Sequence, residues 1–133
     1  MIKAFKGLFL VLLALVFSIA IGAVAEAACT IPFDDINITT NTVLCQNTYY
    51  LNDTNSNGRV ITINASNIVF NCNNSILIGN TTGRGIFLNN FTNVTIQNCN
   101  ILNYTYGFHL NLTVKNTLIN NTARNNSDDC FFI

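Results

Sequence analysis

The side chains that could act as catalytic acids or bases are few in this 133-residue chain. After the apolar N-terminal stretch, the carboxylates are Asp34, Asp35, Asp53, Asp128 and Asp129. A polysaccharide lyase needs carboxylates clustered around calcium beside a basic residue, and a glycoside hydrolase needs two acids at a set separation. None of these aspartates lies on a repeated apolar segment of the chain. The sequence therefore predicts a protein without catalytic residues.

Ligands for a transition metal are equally scarce. His109 is the single histidine and Met1 the single methionine. Copper and zinc sites take several His, Cys or Met ligands together, so we expect neither a metal nor a cofactor. Strand alternation places the His109 side chain outward if Phe108 and Leu110 face the core, and inward if the register slips by one residue.

The five cysteines are odd in number, which leaves one unpaired or paired between chains. Cys72 and Cys99 occupy related bends of consecutive repeats, where they either form a disulfide or remain buried thiols. Cys130 stands where the earlier repeats have glycine, and we expect it to be the unpaired one.

The N-terminal segment has the pattern of an export signal. Lys3 and Lys6 precede a charge-free apolar run from Leu8 to Val24, and small residues follow as in an A-x-A cleavage site near Ala25 or Ala27. An uncleaved membrane anchor is the alternative, since the run approaches the length of a spanning helix. The formal net charge of zero disfavours binding to nucleic acid or to an anionic membrane surface. We expect a secreted or cell-surface protein that meets a membrane only through this segment.

A sequence pattern recurs after the N-terminal signal segment. An apolar β-branched segment leads through Asn-rich bends into a second apolar segment, and the starts at Gly85, Gly107 and Cys130 are about 22 residues apart. Short strands of this kind bury a core only when equivalent strands stack from coil to coil. An antiparallel sandwich is the alternative, but sandwiches seldom repeat one phrase at a constant period.

Alternation within each copy predicts which side chains enter the shared core. These are Ile61 and Ile63, Ile86 and Leu88, Val94 and Ile96, and Leu112 and Val114. Asparagine tolerates the left-handed backbone of a bend, and its amide can bond to an Asn of the next coil. Asn71, Asn98 and Asn116 are the residues expected to stack in this way.

The segments Ile61–Asn73, Gly85–Leu88 and Asn93–Cys99 resemble repeats of right-handed parallel β-helices of the NosD-like, carbohydrate-binding and sugar-hydrolase (CASH) type. The resemblance covers about residues 29–133 and implies an all-β, short single-stranded right-handed parallel β-helix of about four rungs, preceded by an N-terminal signal helix. It further implies a signal or anchor at 1–27, an N-terminal cap at 28–59 and β-helix repeats at 60–133. Export favours a Cys29–Cys45 disulfide closing the cap.

This fold carries many activities, so the resemblance leaves function open. We expect a non-catalytic structural module, or one that binds glycans or neighbouring surface proteins through Tyr104, Tyr106 and His109. The alternatives are a fragment or subunit of a carbohydrate-active enzyme and a periplasmic copper-binding NosD-like accessory protein. Self-association through an uncapped C-terminal rung, at Phe131–Ile133, is a further expectation.

Asn-x-Ser/Thr triplets are dense in the chain. In an exported protein some could carry glycans, and the candidates are Asn37, Asn52, Asn64, Asn80, Asn90 and Asn103. A chain rich in Asn and Thr also produces such triplets by chance.

Overall fold

The structure is a computed structural model that describes residues 28–133. The expected signal helix lies outside these residues. All regular structure in the described part of the chain is β, and the strands form three parallel sheets that run side by side along a solenoid of about four turns. Residues 28–133 contain no helix that could cross a membrane.

Each turn of the solenoid contributes one strand to each sheet. Sheet I contains β1 (Ile36–Ile38), β4 (Arg59–Ile63), β7 (Arg84–Asn89), β10 (Tyr106–Asn111) and β13 (Phe131–Phe132). Sheet II contains β2 (Thr42–Val43), β5 (Val69–Asn71), β8 (Thr95–Gln97) and β11 (Thr117–Ile119). Sheet III contains β3 (Thr48–Tyr50), β6 (Ile76–Ile78), β9 (Asn100–Leu102) and β12 (Thr122–Arg124). The segment expected to act as a cap, 28–59, thus already supplies the first turn of strands.

The interior is built from columns of like side chains. On sheet I, the first column contains Ile36, Ile61, Ile86 and Phe108. Sheet II contributes Phe70 and Ile96, and sheet III contributes Leu77 and Ile101. All of these side chains are buried. Burial of apolar surface in stacked columns is the main stabilising contribution, because a strand of three residues cannot bury a core alone.

Asparagine shapes the bends between sheets. Fourteen non-glycine residues have a positive φ, and nine of them are asparagines. Asn adopts this left-handed backbone more readily than most residues because its short amide can hydrogen-bond locally. The corners of the solenoid therefore follow directly from the Asn-rich composition.

The predicted core is confirmed in the second and third turns and is wrong at Leu112 and Val114 in the fourth. Leu112 and Val114 are 77% and 61% exposed. Leu112 has a φ of 51° and lies in a bend, while the register pairs Leu118 with Ile96. The loop from β10 to β11 has the same length as the loop from β7 to β8, so Leu118 takes the inward position.

The register that places Leu118 beside Ile96 also corrects one member of the predicted Asn ladder. Asn98 Nδ2 donates to Asn71 Oδ1 at 3.0 Å, and Asn120 Nδ2, instead of Asn116, donates to Asn98 Oδ1 at 2.9 Å. Asn116 instead accepts from the Val94 backbone N–H at 2.8 Å. It therefore also links two turns, but through the main chain.

Two disulfides join parts of the described chain. Cys29 pairs with Cys45 as predicted, and Cys72 pairs with Cys99, which decides between the two states that the sequence left open. Cys130 is the free cysteine of residues 28–133, as expected. Disulfides of this kind persist in oxidising compartments, which supports an extracellular environment.

Candidate functional site

Six side chains form a contiguous patch on the outer face of sheet I. We call this patch the arginine–aromatic cluster; it consists of Arg59, Arg84, Phe87, Tyr106, His109 and Phe132. Arg59, Arg84 and Tyr106 are register partners on successive strands. Phe87, His109 and Phe132 form the second column.

The strand alternation explains why these side chains are outside. Ile86, Leu88, Phe108 and Leu110 occupy the core, so the residues between them, Phe87 and His109, must face solvent. The parallel register then brings equivalent positions of consecutive turns together at about 4.8 Å, the usual strand spacing. Residues that are more than twenty positions apart in sequence become neighbours in the cluster.

Arg84 lies at the centre of the cluster. Its Nη1 donates to the Gly58 carbonyl at 2.9 Å, and its Nε donates to His109 Nδ1 at 3.2 Å. Its Cζ lies 5.4 Å from the centre of the Phe87 ring and 5.7 Å from that of Tyr106. These distances are within the range of cation–π pairs, and the two hydrogen bonds fix the position of the guanidinium.

Aromatic rings continue the surface beyond Arg84. The His109 ring stacks on Phe132 with centroids 4.5 Å apart, and Tyr106 meets His109 edge-on at 5.0 Å. Phe87 lies 5.4 Å from His109 on the other side. Such ring pairs stabilise one another beyond the area that they bury, so they form a pre-organised platform.

The protonation state of His109 fits this arrangement. Partial burial, and then the positive charge of Arg84, lower the pKa of His109 below its usual value. The ring is therefore neutral near pH 7, and Nδ1 has the lone pair needed to accept from Arg84. At the other edge of the cluster, a hydrogen bond to the Asp128 carboxylate raises the pKa of Tyr106.

Two of the three predicted binding residues, Tyr106 and His109, lie in the cluster. The third, Tyr104, is fully buried, and its hydroxyl donates to the Leu51 carbonyl at 2.9 Å. Burial, with a smaller contribution from Asp34, raises the pKa of Tyr104. Tyr104 is therefore a core residue that a ligand at the surface does not reach.

Sequence reasoning missed four members of the cluster: Arg59, Arg84, Phe87 and Phe132. The signal was present, because Phe87 and Phe132 alternate with core residues as His109 does. Comparing equivalent positions of successive copies would have paired Arg84 with Tyr106, which lies two residues before the core residue Phe108. The starts at Gly85, Gly107 and Cys130 already place these residues at equivalent positions, but the sequence analysis compared only their inward neighbours.

Three other aromatic side chains, Tyr49, Tyr50 and Phe91, lie outside the cluster. Tyr49 and Phe91 pack against the core. Tyr50 is 76% exposed, but it belongs to sheet III, on another side of the solenoid. The cluster is therefore the place where exposed rings and cations meet in this structure.

The aspartates near the first turn hold the loop between β3 and β4 in place through hydrogen bonds. Asp53 accepts from the backbone N–H groups of Asn57 and Gly58, at 3.1 and 2.8 Å. Asp34 accepts from the Thr54 N–H at 2.8 Å, and Asp35 accepts from the side-chain amides of Asn55 and Asn57. Within residues 28–133, no group of three or more His, Cys, Asp or Glu side chains is placed to hold a metal ion.

The candidate glycosylation sites are distributed around the solenoid. Five are exposed, at Asn37, Asn52, Asn64, Asn80 and Asn90, and Asn103 is half-buried. Asn37 lies on β1 in the same sheet as the cluster, next to Thr62 of β4. Attachment at Asn37 would place a glycan at the edge of this face.

Comparison of the chain with protein-family models, with curated proteins and with solved structures found no match.

Proposed function

We propose that this protein is an exported, non-catalytic binding module that holds a glycan on the arginine–aromatic cluster. The observation that carries the proposal is the set of stacked rings on the outer face of sheet I. Flat aromatic faces pack against the apolar faces of sugar rings, and the neighbouring guanidinium and amide groups can bond to hydroxyls. The flat, rigid sheet supplies such a platform without ordering a loop on binding.

The parallel solenoid agrees with what the resemblance to NosD-like and CASH proteins implies. A right-handed winding, which nearly all parallel crossovers adopt, is part of the same proposal. Secretion or display at the cell surface follows from the basic, apolar and small-residue pattern of the N-terminus together with the two disulfides. The partner is then a glycan outside the cell.

The placement of the acids supports a non-catalytic role. Asp34, Asp35 and Asp53 are engaged in closing one loop, and Asp128 lies beside Tyr106 near the far end of the sheet. A glycoside hydrolase would hold two carboxylates on either side of one sugar bond. A fragment of a carbohydrate-active enzyme remains the alternative, and a copper accessory protein would need more ligands than His109 and one thiol.

Glycan binding by the full chain tests the proposal. We expect Phe87→Ala and Tyr106→Ala each to weaken glycan binding about three- to tenfold, because each removes a stacking ring. Tyr50→Ala is the matched control, since it removes an exposed ring from sheet III. Calorimetric titration with the glycans that are positive on an array would measure the change.

Three results would count against the proposal. Equal losses for Tyr50→Ala and Tyr106→Ala would show that the cluster is not the binding face. Release of shortened or unsaturated sugars from a bound polysaccharide would favour the enzyme alternative. Binding to a neighbouring surface protein, with no glycan bound, would replace the glycan as the partner.

A further inference from the structure

We infer that Arg59, Phe87 and Arg84 form an anion subsite that takes the carboxylate or sulfate group of an acidic glycan. The inference rests on the proposed function, because it names the class of glycan that the same face would bind. We call these three residues the anion subsite.

The first step is the distribution of cations. The chain has six Lys and Arg residues, of which Lys3 and Lys6 lie in the N-terminal segment. Of the other four, Arg59 and Arg84 are direct register partners on neighbouring strands of sheet I. In a chain with so little charge, this pairing concentrates positive potential on one face.

The second step is the geometry of the pair. The Cζ atoms of Arg59 and Arg84 both lie 5.4 Å from the centre of the Phe87 ring. Two like charges held against one ring repel each other, and the ring offsets only part of that cost. A bound anion between them would remove the repulsion and add two attractive contacts.

The third step concerns the partners that Arg84 already has. Its hydrogen bonds among the described residues go to a carbonyl and to a neutral imidazole, and neither of these neutralises its charge. These two bonds use Nε and Nη1, so Nη2 is left to donate. Nη2 can therefore donate a charge-assisted hydrogen bond to an oxygen of a carboxylate or sulfate.

Acidic groups mark the two edges of the subsite. Asp35 lines a shallow depression with Arg59, Asn37, Asn57 and Thr62. Asp128 lies beside Tyr106 at the other edge. An anionic ligand is repelled by both aspartates, so its charged group is confined to the space around Phe87 between them.

The experiment compares two matched pairs of probes on the full chain. Oligogalacturonate is compared with its methyl ester, which removes the charge from the carboxylates. Dextran sulfate is compared with dextran, which distinguishes sulfate from carboxylate as the preferred group. Calorimetry at low and at high salt measures affinity, because screening weakens a charge contact and spares ring stacking.

Four variants locate the site. We expect Arg59→Gln and Arg84→Gln each to lower affinity for the acidic probe about tenfold, and to lower affinity for its neutral partner much less, because only the acidic probe loses a charge contact. Arg124→Gln is the matched control, because Arg124 is exposed on β12 of sheet III. Arg84→Lys keeps the positive charge but lacks the planar guanidinium with its several donors. We expect its affinity for the acidic probe to lie between those of Arg84→Gln and the wild type.

The outcomes separate this inference from the proposed function. Equal affinity for the acidic and neutral probes, with loss in Tyr106→Ala, would overturn the anion subsite and leave glycan binding in place. Equal losses in Arg59→Gln, Arg84→Gln and Arg124→Gln would show diffuse charge attraction and also overturn it. Binding of none of the four probes would count against both. Circular dichroism of each variant checks the fold, and Arg59→Gln keeps the test valid if Arg84→Gln unfolds.

Discussion

At the scale of single residues, His109 links the binding face to the protonation state of the protein. Its Nδ1 accepts from Arg84 only while the ring is neutral. Partial burial, and then the charge of Arg84, lower the pKa of His109. The cluster is therefore organised at neutral pH and disturbed by acid.

We expect the stability contributed by His109 to depend on pH with a definite sign. A lowered pKa means that the unfolded chain binds the proton more readily than the folded one. The contribution is complete above the ordinary histidine pKa of about 6.5 and is lost as the pH falls through the lower folded value. Urea unfolding of the wild type and of His109→Gln between about pH 5 and 7.5 measures it.

The difference in unfolding free energy between the two proteins should shrink toward acid. His109→Gln serves as the reference because it removes the imidazole and leaves every carboxylate in place. A constant difference across this range would contradict the assigned role of His109.

Tyr104 shows how a polar group is accommodated in the core. Its ring is buried, and its hydroxyl bonds to the Leu51 carbonyl across two turns. Tyr104→Phe should lower the free energy of unfolding by about 1–3 kcal/mol, because the buried carbonyl loses its donor. Tyr50→Phe, at an exposed ring, is the matched control and should change it by less than about 0.5 kcal/mol. Equal urea midpoints for the two variants would refute this prediction.

At the scale of elements, amide ladders set the register of the bends. Besides the Asn71–Asn98–Asn120 ladder, Asn93 donates to Asn67 at 2.9 Å, and Asn111 donates to Asn89 at 3.0 Å. Each bond joins equivalent positions of adjacent turns. The ladders therefore oppose slippage of one turn against the next, which the short strands alone resist weakly.

Two substitutions at Asn98 separate its two roles. Asn98 has a φ of 57° and forms two ladder bonds. Asn98→Gly removes the bonds and keeps the left-handed backbone, for a loss of about 1–2 kcal/mol. Asn98→Ala adds a backbone cost of about 1 kcal/mol. Thermal unfolding should rank the proteins as wild type, Gly variant and Ala variant, in falling order of stability.

Asn64→Ala provides the control for this series. Asn64 is exposed and has a backbone without a positive φ. Its substitution should leave the melting temperature nearly unchanged. An Ala variant at position 98 as stable as the Gly variant would mean that the bend does not require the left-handed backbone.

At the scale of the whole molecule, two disulfides act at different places in the first three turns. Cys29–Cys45 closes the start of the solenoid, and Cys72–Cys99 joins the second turn to the third, with a sequence separation of 27. A link between turns restricts the unfolded chain more than one within a single bend does. The Cys72–Cys99 bridge thus joins the two turns that carry Arg59, Arg84 and Phe87.

Replacing both Cys72 and Cys99 by Ala should lower the free energy of unfolding by about 2–4 kcal/mol. Cys130→Ala should change it little, since Cys130 is a free, half-buried thiol. Thiol titration of the denatured, unreduced protein should detect one thiol per chain. Three or more thiols would mean that a disulfide seen here does not form.

The sequence by itself determined the architecture, because that follows from local regularities. β-Branched segments that alternate with Asn-rich bends at a near-constant period can bury their apolar side chains only by stacking in parallel. The inward residues of the second and third turns, the Cys29–Cys45 pair and the free Cys130 were predictable in the same way. Each of these depends on the type of residue and its position within one copy.

Tertiary structure decided the features that depend on register between copies. Leu112 and Val114 look like a strand in sequence, yet the stacking of Thr117 on Thr95 places them in a bend. The same register buries Tyr104 and brings Arg59, Arg84 and Phe87 together on one face. Proximity between turns is set by hydrogen bonding across the sheet, and a shift of one residue in that pairing moves every side chain to the opposite face.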